Sequence, residues 1–246
     1  MGKIIAMIPA RYDATRFPGK LMKPLGNSTV IRKVYENTVA TRLFDEVSVV
    51  TDSDIIEAEI LNAGGKVYRS QRAHESGSDR IAEIIEGMEV DIILNVQGDM
   101  PFVKRAPLEN LLASFKDPNV QVGSLMQEML DAEAVKNPNV VKVVVDKFNN
   151  SLLFSRSPIP YPRSTEPPVV WYEHVGVYAY RKAALMNFTS WAMTPLEAAE
   201  KIECLRYLEN GIPLKMVVTE YLGVNIDTPE DLIRAAEFLQ QTSDRC

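Results

Sequence analysis

Arg11, Arg16, Lys20 and Lys23 stand close together near the start of the sequence, with Asp13 as the one acid among them. Cations at that density, around a glycine (Gly19) that lets the backbone approach a ligand, suit a polyphosphate. The loop is not a Walker A motif: Gly19-Lys20 is followed by Leu21, and position 14 is Ala14 rather than glycine. The GxGxxG pattern is absent as well. The plain alternative is a solvated basic loop. Two acids further on, Asp99 and Asp227, each follow a short apolar run. Carboxylates at the ends of strands in one sheet can converge on a divalent cation, although a single such Asp more often serves as a turn or cap. Basic loop and paired acids together point to a nucleoside triphosphate, a metal and attack at phosphorus. Nothing in the sequence suggests a nucleophile triad, and neither Cys204 nor Cys246 lies in a metal-ligand spacing. His74 and His174 are the only histidines and fit no metal pattern. His74 reads as a loop residue, and an alternating strand would account for His174.

The elements that must position these groups read as α/β. Residues 4–8 are an apolar run of the kind found in a buried strand, with Pro9 expected to end it. Residues 29–43 follow helical spacing through Val30, Val34, Thr38 and Val39. A second strand at 46–51 leads to Ser53, a cap for a helix ending at Ala63 before Gly64-Gly65. A short strand at 67–68 completes βαβαβ, which predicts a mostly parallel sheet with ligands at the carboxyl ends of its strands. Ser76 and Asp79 can form a capping pair for a helix over 79–88. Arg80 would sit in its first turn, where a cation does not help the helix, so it is expected to act on something else. Residues 91–96 read as another buried strand running into Gln97-Gly98-Asp99.

From residue 120 the pattern changes. Extended runs at 120–129 and 140–146, a turn at 148–150, the run 152–156, a proline-rich loop at 157–168 and a strand over 171–181 suggest an antiparallel insertion. Such edges often pair across a two-fold interface. Thr194-Pro195-Leu196-Glu197 predicts a helix from 194 to 210 that turns Leu196, Ala199, Ile202 and Leu205 to the core. Residues 214–219 read as a strand, and Thr228-Pro229 opens a last helix just after Asp227.

At 246 residues and 46% apolar, the chain fits one large α/β domain with an insertion, placed at about 120–182 and suited to dimerisation, or else two small domains; the single domain over 1–246 is the expectation. The net charge of −6 argues against general nucleic-acid binding, so the N-terminal bases mark a site and not a surface. No apolar run reaches the length of a membrane span and no leader pattern opens the sequence. Two cysteines fit a reducing cytoplasm.

The blocks PARYDATRFPGK (9–20), HESGSDR (74–80), NVQGD (95–99), NPNVVKVV (137–144), FSRSPIPYPR (154–163), HVGVYAYR (174–181), EKIECLR (200–206) and IDTPEDL (226–232) occur in the order found in one family. The chain resembles the CMP-Kdo synthetases, the 3-deoxy-manno-octulosonate cytidylyltransferases. The resemblance covers nearly the whole chain and implies a dimeric enzyme with a nucleotidyltransferase-type α/β fold. It would join 3-deoxy-D-manno-octulosonate (Kdo) to CMP for lipopolysaccharide synthesis, using CTP and Mg2+ and releasing pyrophosphate. It implies CTP contacts from Ala10, Arg11, Arg16, Lys20, Ser76 and Arg80, with Arg11, Lys20, Asp99 and Asp227 catalytic and Mg2+ on the last two. It implies sugar contacts from Gln97, Arg156, His174, Tyr178 and Glu203, beside Cys204. The family usually has Ser, Pro-Leu, Glu and Gln where this chain has Ala14, Leu21-Met22, Met100 and Cys204. The last of these lies in the sugar pocket and leaves the acceptor open between Kdo, an 8-amino-Kdo and another ulosonic acid. Outside that class, strand-end acids also suit a nucleotide-sugar glycosyltransferase or a non-catalytic nucleotide-binding protein. Intact Lys20, Asp99 and Asp227 argue against the latter.

Overall fold

A computed structural model describes residues 2–13, 17–74, 76–164, 166, 168–220 and 223–243. The chain forms two compact units, residues 1–105 with 222–246, and residues 106–221.

The first unit is built on β1 (Ile4–Ala10), whose residues Ile5 to Ile8 are all buried. A 3-10 turn (Lys20–Met22) follows, then a small antiparallel hairpin of β2 (Pro24–Leu25) and β3 (Ser28–Thr29). Thr29 caps α1 (Val30–Ala40), its hydroxyl accepting from the Arg32 amide. The helix is shorter than the expected 29–43. It buries Val30, Ile31, Val34 and Thr38, while Val39 faces outward. Then come β4 (Glu46–Thr51), α2 (Asp54–Asn62) with its Ser53 cap, β5 (Val67–Arg69), α3 (Gly77–Ile85) and β6 (Ile92–Asn95). β6, β1, β4 and β5 lie side by side in that order, all parallel. This is the expected α/β arrangement, and it brings the carboxyl ends of four strands to one edge.

Pro9 does not end β1. It pairs in register with Val50, and the strand runs on to Ala10. The Val96 amide donates to the Met7 carbonyl, so odd-numbered positions of β1 turn their polar groups toward β6. The β1–β6 ladder stops at Met7 opposite Asn95. The N–H that Pro9 lacks would therefore face a side where no partner strand remains, and the proline costs the sheet nothing.

The second unit holds α4 (Arg105–Ser114), β7 (Val122–Met129), α5 (Ala132–Lys136), β8 (Lys142–Val145), β9 (Ser151–Ser155), β10 (Trp171–Arg181), α6 (Lys182–Ser190), α7 (Pro195–Glu200), α8 (Leu205–Glu209) and β11 (Lys215–Val218). β10 pairs antiparallel with β7 and with β8, β8 antiparallel with β9, and β11 parallel with β7. The antiparallel strands expected between 120 and 182 are thus present. The turn at 148–150 has Asn149 in the left-handed region (φ 60°) and closes with the Asp146 amide on the Asn150 carbonyl at 2.9 Å.

The single helix expected over 194–210 is two short ones. Lys201 adopts the left-handed conformation (φ 53°) and ends α7. Leu196 and Ala199 are exposed, and the buried residue of α7 is Glu197. Glu197 receives two hydrogen bonds from the Arg206 guanidinium, at 2.7 and 2.6 Å, and that guanidinium also lies 4.0 Å over the Phe188 ring. A fully paired buried charge draws α7 inward on the face that apolar spacing had assigned to solvent. The chain continues through Ile226 and Asp227 into α9 (Pro229–Ser243), which returns to the first unit, where Phe238 meets the Phe102 ring edge-on at 4.7 Å.

Candidate active site

The site of the first unit is built at the carboxyl ends of its strands. β1 delivers Ala10 and then Arg11. The loop after it is drawn back by the Gly19 amide on the Tyr12 carbonyl (3.1 Å), with Gly19 at φ 66°. Leu21 and Leu25 are buried, so the turn that carries Lys20 is anchored on both sides. At the end of β6 the chain turns through Gly98, closed by the Met100 amide on the Gln97 carbonyl. A Cβ at Gly98 would lie 3.2 Å from the Pro9 carbonyl oxygen and 3.3 Å from Ile31 and Leu21. The glycine lets this turn close tightly against the end of β1 and sets the position of Asp99.

Asp227 reaches the same place from the far end of the sequence. The Ile226 amide donates to the Asp99 carbonyl at 3.0 Å, which ties the two acids' backbones together. The Asp227 and Thr228 amides both donate to Asp231 Oδ2, at 3.0 and 2.9 Å, and Thr228 Oγ1 accepts from the Asp231 amide. This reciprocal cap fixes the start of α9 directly behind Asp227.

Lys20 joins the acids. Its Nζ donates to Asp99 Oδ2 at 2.6 Å and to Asp227 Oδ1 at 3.1 Å. Burial works against the ammonium, but the two carboxylates outweigh it and hold Lys20 above the ordinary lysine range. Two carboxylates converging on one cationic nitrogen form a donor set that fits a divalent cation whose remaining ligands come from substrate and water. No group of three or more His, Cys, Asp or Glu side chains suited to a metal occurs among the described residues.

Ser76 and Arg80 stand across the pocket. Ser76 caps α3, its hydroxyl accepting from the Asp79 amide at 3.1 Å and donating to Asp79 Oδ2 at 2.8 Å. A Cβ on Gly77 would lie 2.9 Å from Pro9 Cγ, so the N-terminus of α3 packs directly on the end of β1. Such a terminus favours anions. Arg80 is 6% exposed and is held by Asp52 at the end of β4, at 2.9 and 3.1 Å, and by Ser70 after β5 at 3.2 Å. The Arg80 hydrogen bonds hold the Asp52 carboxyl below the usual carboxylate range. This is the task outside its own helix that Arg80's position in the first turn implied. His74 is more than a loop residue: its Nε2 lies 2.7 Å from Glu83 Oε2, and Glu83 also accepts from the Gln71 amide. Ala10, Arg11, Lys20, Ser76, Arg80, Gln97, Asp99 and Asp227 line one pocket together with His74. Arg16 lies outside the described residues. Sequence reasoning missed Asp52, Ser70 and Glu83, although Asp52, like Asp99, follows an apolar strand.

The residues that the resemblance links to the sugar fall in two places. Gln97 lines the pocket above. In the second unit, β10 carries a bulge between Val175 and Tyr178, across which the His174 and Tyr178 rings meet edge-on at 5.3 Å. Ser124 holds the bulge, donating to the Val177 carbonyl at 2.7 Å with His174 Nε2 at 3.0 Å. Burial lowers the His174 pKa to about 4, so the ring is neutral at pH 7. Tyr178 is hydrogen-bonded to the buried Cys204 thiol, and burial pushes both groups well above their ordinary pKa values. Glu203 lies close enough for its charge to be felt at Tyr178 and Cys204. The Arg156 guanidinium is engaged by main-chain carbonyls of Glu200 (2.6 Å), Pro138 (2.8 Å) and Lys201 (3.3 Å). Lys142 is fully buried and its ammonium donates to the carbonyls of Asn137, Val140 and Arg156.

A family model described as cytidylyltransferase matches residues 5–218, most of both units. The chain belongs to the cytidylyltransferase family. It is a nucleotidyltransferase. This cytidylyltransferase is 54% identical over 241 residues to a 3-deoxy-manno-octulosonate cytidylyltransferase of Flavobacterium johnsoniae, covering 97% of this chain and 99% of that protein. It is 54% identical over 240 residues to the protein of the same name from Christiangramia forsetii, at 96% and 97% coverage. Among solved structures it is similar to a CMP:2-keto-3-deoxy-manno-octonic acid synthetase complexed with CTP, with a TM-score of 0.92 and 36% identity over 98% of this chain and 99% of that one. A 4-diphosphocytidyl-2C-methyl-D-erythritol synthase from Anaerococcus prevotii shares the fold at 16% identity, with a TM-score of 0.66 over 97% and 98% of the two chains. No described helix is long and apolar enough to cross a membrane.

Proposed function

We propose that this cytidylyltransferase transfers the cytidylyl group of CTP to Kdo, forming CMP-Kdo and releasing pyrophosphate. The observation that carries the reaction type is the convergence of Asp99 and Asp227 on Lys20 in a pocket lined by Arg11, Ser76 and Arg80. The acceptor rests on the names of relatives at 54% identity.

In this reading Arg11 and Lys20 offset the charge of the triphosphate, the N-terminus of α3 favours its anionic end, and Asp52 and Ser70 hold Arg80 in place for the nucleotide. Arg16, in the same motif, is a further proposed CTP contact. Asp99 and Asp227 would hold Mg2+, which supplies charge neutralisation at the phosphates undergoing substitution. An acid-sugar hydroxyl attacks the α-phosphorus in line and pyrophosphate leaves. Gln97 and, from the second unit, Arg156, His174, Tyr178, Glu203 and Cys204 are the proposed sugar contacts. The antiparallel strands of the second unit, with Leu152, Phe148 and Val170 exposed, are the proposed two-fold interface of a homodimer, and the cytoplasm is the proposed compartment.

The experiment is pyrophosphate release from CTP, with and without Mg2+, over a panel of acid sugars that includes Kdo and 8-amino-Kdo. Release that requires Kdo and a divalent cation supports the reading. Release with 8-amino-Kdo alone reassigns the acceptor, and no release with any acid sugar refutes the proposal.

A further inference from the structure

Lys20 does two things that compete. It is a candidate phosphate contact, yet its ammonium lies against both carboxylates proposed to hold the metal, at 2.6 Å and 3.1 Å. The lysine side chain is 13% exposed, whereas Asp99 and Asp227 are 25% and 43% exposed. The acids are thus more exposed than the ammonium that joins them. Two carboxylates and one ammonium leave a single net negative charge. A divalent cation added to that set turns it to net positive in a pocket that also holds the Arg11 guanidinium. Loss of the ammonium from the carboxylates, or arrival of a polyanion, removes that penalty. The backbone of Lys20 is fixed by the buried Leu21, by the Lys20 amide on the Phe17 carbonyl and by the Lys23 amide on the Lys20 carbonyl. What can move is the flexible four-carbon stem.

We propose that Lys20 is an exchangeable counter-ion: without nucleotide it neutralises Asp99 and Asp227, and a bound triphosphate, by drawing the ammonium to itself, opens the two carboxylates to the divalent cation. This rests on the metal assignment proposed above and adds its regulation. Nucleotide and metal then strengthen each other's binding by the same factor, because coupling between two ligands is reciprocal. The free enzyme then holds the divalent cation more weakly than the nucleotide-loaded enzyme does.

The test is Mg2+ binding by isothermal titration calorimetry, and by the shift it causes in thermal unfolding, for the wild-type protein without nucleotide and for Lys20→Met, Lys20→Gln and Lys23→Met. Both Lys20 variants should bind Mg2+ alone at least about tenfold more tightly than the wild type and be stabilised by it. Lys23→Met should behave as the wild type does, and Asp99→Asn placed in Lys20→Met should abolish the gain. Equal Mg2+ affinity of the wild type and both Lys20 variants overturns the exchange while the metal assignment stands. No response to Mg2+ in any of the proteins, with CTP or without it, overturns both.

Discussion

His174 offers a measurement that the chain makes unusually clean, since it has one other histidine. Its ring is packed between Phe154 (4.9 Å) and Tyr178 (5.3 Å), with Ser124 as its hydrogen-bond partner and burial as the cause of its lowered pKa. The folded protein protonates His174 only near pH 4, while the unfolded chain does so near the ordinary value of 6.5. Between those values the unfolded state binds more protons, so stability is full above pH 6.5 and declines as the pH falls toward 4. The gap corresponds to about 3 kcal/mol when fully developed and to about 2 kcal/mol at pH 5. The perturbation is His174→Asn, compared with the wild type by urea unfolding at pH 7 and pH 5. The wild type should lose about 2 kcal/mol more than the variant over that interval. A direct check is the histidine Cε1–H proton resonance, identified by its absence in His174→Asn. Titration of that resonance near 6.5, with parallel pH profiles for the two proteins, would refute the claim that burial keeps the ring neutral.

Other outcomes follow from the same geometry. Asp99→Asn and Asp227→Asn should each lower kcat at least about a hundredfold with the fold retained by circular dichroism, because charge developing at phosphorus loses its counter-ion; near-normal turnover at limiting Mg2+ in both would contradict the assignment. Glu197→Ala removes the carboxylate that pairs with the buried Arg206 guanidinium and should cost about 3–5 kcal/mol in urea unfolding, whereas Glu36→Ala, which removes the partner of the exposed Arg32, should leave the urea midpoint almost unchanged. Ser76→Ala removes the α3 cap and should lower stability by about 1 kcal/mol while raising the KM for CTP; an unchanged KM would remove Ser76 from the nucleotide site. Cys204→Gln should alter the ratio of kcat/KM between Kdo and 8-amino-Kdo more than the KM for CTP, since a buried amide demands partners that a thiol does not.

The parallel half of the fold was legible because β1, β4 and β6 are largely buried and read as apolar runs, and because Ser53, Ser76 and Thr228 announce helices through a hydrogen bond local in sequence. Asp99 could be found by the same logic, as an acid just past a strand; Asp227 could not, because residues 223–226 form no strand and it is the Ile226 amide on the Asp99 carbonyl that brings it to the site. Pro9 was misjudged because its tolerance depends on where β6 stops, a fact of pairing that no local rule contains. The helix over 194–210 was misjudged for a related reason. Lysine in the left-handed conformation at position 201 has no local signal, and Glu197 is buried only because Arg206 meets it. α6 (Lys182–Ser190) went unread, since it follows β10 without a turn residue or a capping side chain. The support behind Arg80 was invisible too: Asp52, Ser70 and Arg80 come from three segments, and only the sheet order makes them neighbours.

The first unit is discontinuous, and residues 106–221 separate Asp99 from Asp227. Most of the pocket, from Ala10 to Asp99, is encoded before that break, and only Asp227 comes after it. Closing so long a stretch of flexible chain costs on the order of 4 kcal/mol in entropy, a cost that falls when the intervening unit has already folded. Synthesis of this polypeptide therefore separates the two acids in time. Until residue 227 has been made, the chain holds a single carboxylate opposite Lys20. Any product truncated within residues 106–221 lacks the second carboxylate. The order of the chain thus makes the ion pairs of Lys20 the last part of the pocket to be completed.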